Sequence, residues 1–587
     1  MIHAKDDGNT LLHFASRVGN MLLIRRLQRG PKDRHSLMHQ RLLWFYLRIR
    51  PILELVIDWI GKHPLIIIVF PSIWLFIRYK PFWKDVDVVA QLIVAPGSLN
   101  ILHCAPIYSF LARVPFWLTD TLTHGTAPPI FSEQHPSLLA VRALIFFQHV
   151  GLWFALRYLL FSVGWSDISR GIAAVLLSSV ASFYTFAHTA GSEAVTAVTW
   201  ITVFSAGIRI LLRRAGWRDW IIYSAALLLA VGSRKVNGIL LLWLPIVTLS
   251  LSSRWLFARQ HGTELKLLLR TGAVALVISL SIGGIEKGLV LVLCRQFSVI
   301  ERPTDGATFS DRFETLIAWL SPAEHADFLA NGLAKTNDPN VRLSIEAQLK
   351  FGSYHLGGEK VIEHALSEQG LSGEVLQAER DRIISRATQC LYQATPPKLF
   401  ALIAKEFVRT WAPTSDYRVA RSGPFATFLF ARFLDEMPSR WSDLPRLPMF
   451  QLENARPALA AVDRDPFINH WQNLPIALWC LSFVFLGIGR LIRQRLSLQL
   501  FVVAVSIIAI GTIADLATCV LAYGQPRYTL PLLITVFVSG CVLLFGTNRP
   551  NKLLPFADDR LQVCRPEAMV PGLERPKHQR YRNILTD

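Results

Sequence analysis

Long apolar blocks alternate with short basic stretches and two long polar ones along this chain. "SRGIAAVLLSSVASFYTFA" (169–187) and "LQLFVVAVSIIAIGTIADLATCVLAYG" (498–524) typify the apolar blocks. Runs near 20 residues match the hydrocarbon core of a bilayer, about 30 Å thick. The pattern predicts an all-α polytopic membrane protein of about ten transmembrane helices. These fall at 60–79, 138–161, 170–188, 192–212, 218–232, 236–252, 271–293, 473–490, 498–523 and 528–546. "GSRKVNG" (232–238) interrupts the fifth and sixth of them.

The polar stretches have structure of their own. Within 80–137, "NILHCAPIYSFLARVPFWLTDTL" (100–122) stays rich in apolar and aromatic residues, which predicts short helices lying along the membrane surface. "GEKVIEHALSEQGLSGEVLQAERDRIISRATQCL" (358–391) spaces apolar positions three and four apart, so 295–470 is expected to be a helical subdomain. "MHQRLLWFYLRIRPILELVID" (38–58) mixes aromatic, aliphatic and basic residues as an interfacial helix does. The expected order is an N-terminal extension with this helix (1–59), a membrane module (60–294), the helical insert (295–470), further membrane helices (471–546) and a basic tail (547–587).

Of 587 residues, 52% are hydrophobic and 18% charged, with a formal net charge of +19. The excess sits in the first 50 residues, at 209–218, 253–260 and 489–495, and in the tail, whereas 295–470 holds 20 Lys/Arg against 22 Asp/Glu. With ten spans and a cytosolic N-terminus, all the basic segments fall on one side, as the positive-inside bias requires. Bilayer orientation thus accounts for the charge, and a nucleic-acid partner is not expected. The same count puts both termini in the cytosol and 80–137, 188–194, 232–238, 295–470 and 523–529 outside. That is the arrangement of a multi-pass inner- or plasma-membrane protein, its outer face periplasmic in a Gram-negative cell.

Seven cysteines lie scattered, without the spacing of a zinc site or a disulfide framework. The polar first 30 residues do not read as a cleavable signal peptide. "DGNTLLHFASRVGN" (7–20) resembles one ankyrin repeat at Thr10, Leu12, His13, Ala15 and Gly19. A single copy cannot bury its apolar face, so a short cytosolic extension or interfacial segment is expected.

Candidate chemistry gathers on the expected outer face. "FWKDVDVV" (82–89) places Asp85 and Asp87 just beyond the first span. They serve either as carboxylates for a lipid-borne substrate or as helix N-caps. On a strand both point one way; on a helix they lie about 200° apart, so one acts while the other caps. Arg234 and Lys235 in "SRK", and Arg527 with Tyr528 in "QPRYTLPL" before Pro531, suit a phosphate or a headgroup anchor. Glu193, in "TAGSEAVTAV", either binds a hydroxyl or an ion, or favours the positive end of its helix. Glu286, Lys287 and Asp515 stand inside apolar runs and are further candidates, while His355 and His364 read as surface residues.

These segments, in this order, resemble the GT-C superfamily of membrane glycosyltransferases, which includes protein mannosyltransferases and aminoarabinose transferases. The resemblance covers about 60–546. It rests on the acid after the first span, "HCAPIYSFLARVP" (103–115) beside the family's "PPLY" segment, "SEA" (192–194), "RKVNGILLLWLP" (234–245), "RYTLPL" (527–532) and "ATQCLYQATPPKLFALIAKEFVRTW" (387–411). Val86 separates the two acids, Val89 replaces an expected aromatic, and Ala105 replaces the first proline.

The resemblance implies a hexosyl- or pentosyltransferase that moves a sugar from a polyprenyl-phosphate donor to a hydroxyl on a glycan, lipid or protein. Asp85 or Asp87 would be the general base, with a divalent metal ion on this pair left open. Arg234, Lys235 and Arg527 would steady the leaving phosphate. His103, Tyr108, Glu193 and Tyr528 would complete the substrate site. An envelope oligosaccharide ligase or polymerase is the alternative enzyme. A multi-span transporter is the alternative from another class, although no internal repeat of spans is visible.

Overall fold

The computed structural model describes residues 50–79, 81–83, 106–126, 129–130, 136–212, 215–258, 262–296, 320–351, 359–411, 475–521 and 530–546. All belong to one unit, Met1–Asn548; the second unit, Arg549–Asp587, and the ankyrin-like stretch lie outside them. The described residues are overwhelmingly helical, with one parallel pairing of two short strands, β1 (Phe82–Trp83) and β2 (Thr189–Ala190).

The chain enters through α1 (Arg50–Lys62), which turns by 83° into α2 (Leu65–Arg78). Pro64 explains the turn, because it disfavours helix at His63 and offers no amide to continue the ladder. After β1 come α3 (Pro106–His124) and α4 (Leu138–Ser162), the latter started by Ser137, whose hydroxyl accepts from the Ala140 amide at 3.1 Å. A second bend, of 60°, separates α5 (Asp167–Ser178) from α6 (Ala181–Ala187). Strand β2 then leads into α7 (Ser192–Leu211), α8 (Trp217–Ser233), a 3₁₀ turn (Lys235–Ile239), α9 (Leu240–Ala258) and α10 (Gly262–Gln296).

Among the described residues, five helices are long and apolar enough to cross a membrane, and up to seven if each bent pair forms one span. The other three expected spans correspond to α8, α16 (Ile476–Ile492) and α18 (Leu530–Phe545), of 17, 17 and 16 residues. Each is about 25 Å long, short of a full hydrocarbon core.

Burial separates centre from periphery. The apolar window of α7 is 78% buried, that of α10 only 17%, so α10 presents Val277, Leu280 and Val292 outward while α7 is a core element. The most enclosed of the longer helices is α18, buried at every position from Leu530 to Leu543 and packed by α5, α7, α16 and α17 (Leu498–Leu521). A helix apolar on all sides belongs inside a bundle. Gly511 and Gly540 allow the approach: a Cβ on either would collide with Thr535 or Phe483. Backbones come closer still where α1 crosses α5. There Gly61 lies against the Asp167 carbonyl, Gly171 against the Ile57 carbonyl, and Arg170 donates to the Gly61 carbonyl at 3.1 Å.

The described residues of the insert, 320–351 and 359–411, form α11 (Pro322–Leu333), α12 (Pro339–Phe351), α13 (Glu359–Glu368), α14 (Gly373–Ala394) and α15 (Pro397–Trp411), helical where the periodicity of 358–391 predicts helix. Phe328, Val341, Ile345, Ile383 and Leu391 form a hydrophobic core there, distinct from that of the bundle. Helix α15 leans on the bundle through Thr410, whose hydroxyl donates to the buried carboxylate of Asp515 on α17 at 2.5 Å.

Candidate functional site

Three separated stretches of chain meet where α7 begins. The parallel pairing sets Phe82 beside Thr189 and Trp83 beside Ala190. The segment leaving α2 therefore runs alongside the turn that opens α7 at Ser192 and Glu193. In sequence, Asp85 follows Trp83 by two residues.

Gln148, on α4, secures that turn. Its amide nitrogen donates to the carbonyls of Ala187 at 3.0 Å and Thr189 at 2.9 Å. Its amide oxygen faces the Tyr108 hydroxyl from α3 at 3.5 Å. Both amide hydrogens are thus used on one stretch of backbone, which fixes its path. Tyr108 is fully enclosed, and burial pushes its hydroxyl pKa up, the nearby Glu193 charge adding to the effect and a Gly191 backbone hydrogen bond opposing it.

Glu193 accepts from Arg234 Nη1 at 3.1 Å, its side chain 1% exposed against 12% for the arginine. Arg234 reaches it because the chain is extended at that residue, between the end of α8 and the 3₁₀ turn. Asn237 holds this break in place: its amide nitrogen donates to Ala230 and to Thr196 on α7, and its oxygen accepts from Trp200 Nε1 at 2.8 Å. Helix α3 closes against the same end of α8, where a Cβ on Gly232 would strike Ile107. Farther along α3, Arg113 is buried, donates to the Ile130 carbonyl at 3.1 Å, and has its pKa pushed down to about 10 by burial.

Of the residues singled out in the sequence, Tyr108, Glu193 and Arg234 are brought together, with exposed Lys235 next to them in the chain. Asp85, Asp87, His103, His355, Arg527 and Tyr528 lie outside the described residues. Glu286 and Lys287 sit on the peripheral α10, half-buried and exposed respectively. His364 is an exposed residue paired with Glu368 at 3.3 Å. Among the described residues, no three His, Cys, Asp or Glu side chains group as metal ligands would.

Gln148 and Asn237 brace this candidate site and were not among the residues singled out in the sequence. Gln148 is marked by being a polar residue within an apolar run, whereas Asn237 lies in the polar break of 232–238, where no such signal exists. Chemically, the cluster offers a largely enclosed guanidinium able to meet a phosphate, a carboxylate able to accept from a hydroxyl, and a tyrosine held as the neutral phenol. No protein-family model matches the chain, and no curated protein matches it either.

Proposed function

We propose that the chain is a membrane glycosyltransferase of the GT-C type, moving a sugar from a polyprenyl-phosphate carrier to an acceptor hydroxyl on the outer face of the membrane. The observation that carries this reading is the β1–β2 pairing, which sets Phe82–Trp83, just ahead of Asp85 in sequence, alongside Thr189–Ala190, the turn that leads into Glu193, the partner of Arg234. A transferase of this kind needs a base for the acceptor next to a cation for the departing phosphate. In the proposed reaction Asp85, or Asp87, takes the hydroxyl proton as the acceptor oxygen bonds to the sugar carbon. The bond from that carbon to the phosphate oxygen breaks, and Arg234 with Lys235 and Arg527 balances the charge left on the lipid phosphate. That phosphate leaves readily, so no general acid is required.

The same reading takes all ten segments as spans, with α1 on the cytosolic interface and 320–411 outside. The near right angle between α1 and α2 suits a surface helix feeding a span. Helices α8, α16 and α18 are short for a bilayer, and protein surrounding α18 supplies the apolar contacts that lipid gives longer spans.

Membranes carrying the protein, supplied with a radiolabelled polyprenyl-phosphate sugar, test the reaction. Transfer is expected from the parent, and a fall of about a hundredfold or more in one of Asp85→Asn and Asp87→Asn. Equal transfer by the parent and both variants would remove the base assignment. Labelling of Val375→Cys by a membrane-impermeant maleimide tests sidedness, since Val375 is exposed. Reaction only from the cytosolic side would end the reading.

A further inference from the structure

A buried chain of polar groups runs from the middle of α2 to the strand pairing. Trp153 Nε1 donates to Ser72 Oγ at 2.8 Å, and Ser72 Oγ lies 2.8 Å from His149 Nδ1. His149 Nε2 lies 3.2 Å from His188 Nδ1, and His188 Nε2 lies 3.4 Å from the Tyr79 carbonyl oxygen. Ser72, His149 and His188 are entirely enclosed, and Phe76 packs against both imidazoles at 5.0 and 5.1 Å between ring centres.

The two ends settle the direction of the chain. An indole nitrogen only donates and a carbonyl oxygen only accepts. With uncharged rings, as enclosure by apolar groups favours, each link carries one proton: Trp153 to Ser72, Ser72 to His149, His149 to His188, and His188 to Tyr79. Both imidazoles then hold their proton on Nε2 and accept on Nδ1. The last donor, His188, directly precedes β2, and the last acceptor, Tyr79, stands three residues before β1.

We propose that His149 and His188 are positioning residues, which tie the exit of α2 to the start of β2 and so hold the β1–β2 pairing in register. The chain of bonds stands by itself; its value for sugar transfer rests on the function proposed above. A glutamine at 149 offers an amide oxygen to accept from Ser72 and an amide nitrogen to donate to His188, so it satisfies both neighbours, but it cannot carry a proton at neutral pH. Leucine fills the space and satisfies neither.

Amide hydrogen exchange of the full-length protein in detergent, read by mass spectrometry, needs no substrate. In His149→Leu, peptides containing Phe82–Trp83 and Thr189–Ala190 are expected to exchange about tenfold faster than in the parent, with 530–545 unchanged. His149→Gln is expected to stay within about twofold of the parent, and Ser72→Ala to be about threefold faster. Parent-like exchange in His149→Leu, or leucine-like exchange in His149→Gln, overturns the proposal. If His149→Leu does not accumulate folded, Ser72→Ala decides, and unchanged exchange there overturns it. If the parent transfers sugar, the leucine variant should lose kcat with KM within about twofold, and glutamine should recover it. A glutamine variant as inactive as leucine would mean that the histidines pass protons, which also overturns positioning. A parent without transfer sinks the glycosyltransferase reading while the exchange results still judge the array.

Discussion

Arg234 and Glu193 are enclosed where little water can replace either partner. Removing one leaves the other charged and desolvated, so Arg234→Ala should cost about 3 kcal/mol, whereas Glu193→Gln with Arg234→Met should recover part of that. Thermal melting in detergent checks both; equal melting of the parent and the single variant would mean that water reaches the pair. On the insert, Glu324 behaves differently because it is exposed. Lys398 first, then the Ser321 amide and hydroxyl, hold its carboxyl down to about 2, against an ordinary value of 4.5. A depressed carboxyl stabilises the fold fully above the ordinary value and ceases to do so as pH falls through about 2. The contact between α11 and α15 should therefore loosen between about pH 4.5 and 2. Lys398→Met should move that loosening to higher pH. Exchange of 320–333 and 397–411, corrected for the intrinsic effect of pH, reads both shifts.

Among the helices, close crossings depend on what a glycine faces. At Gly171 an added methyl meets the Ile57 carbonyl, which no change of rotamer can move, so Gly171→Ala should cost about 2–3 kcal/mol. Gly284, on the outward-facing α10, has open space around it, so Gly284→Ala should be neutral or stabilising by up to about 1 kcal/mol. The two melting temperatures should move in opposite directions or differ by several degrees. The helices themselves were legible in the sequence, because apolar runs and their three- and four-residue spacing are local properties. The bracketing of α4, α7, α9, α10 and α17 agrees with those runs to within a few residues at most ends. What joins them was not legible. Phe82 and Thr189 are far apart in sequence, and two-residue strands leave no periodicity to read. Gln148 and His149 look alike as polar interruptions of an apolar helix, yet one clamps backbone carbonyls and the other joins a chain of imidazoles. Glu193 and Arg234 were separately visible as charges at helix ends; their pairing depends on the extended residue that follows α8.

At the scale of the whole chain, the most enclosed of the longer helices is also the last one described. Helix α18 contributes to the packing of α5, α7, α16 and α17 together, so no one of them reaches its final surroundings without it. Stopping translation after residue 529 should therefore leave a product that accumulates far below the full-length protein in membranes. Comparable steady-state amounts on an immunoblot would show that the remaining helices settle without it. Residues 530–545 are made after every helix they pack against. The surroundings of α5, α7, α16 and α17 are therefore completed last, and a chain that stops before residue 530 leaves bare the faces that α18 covers.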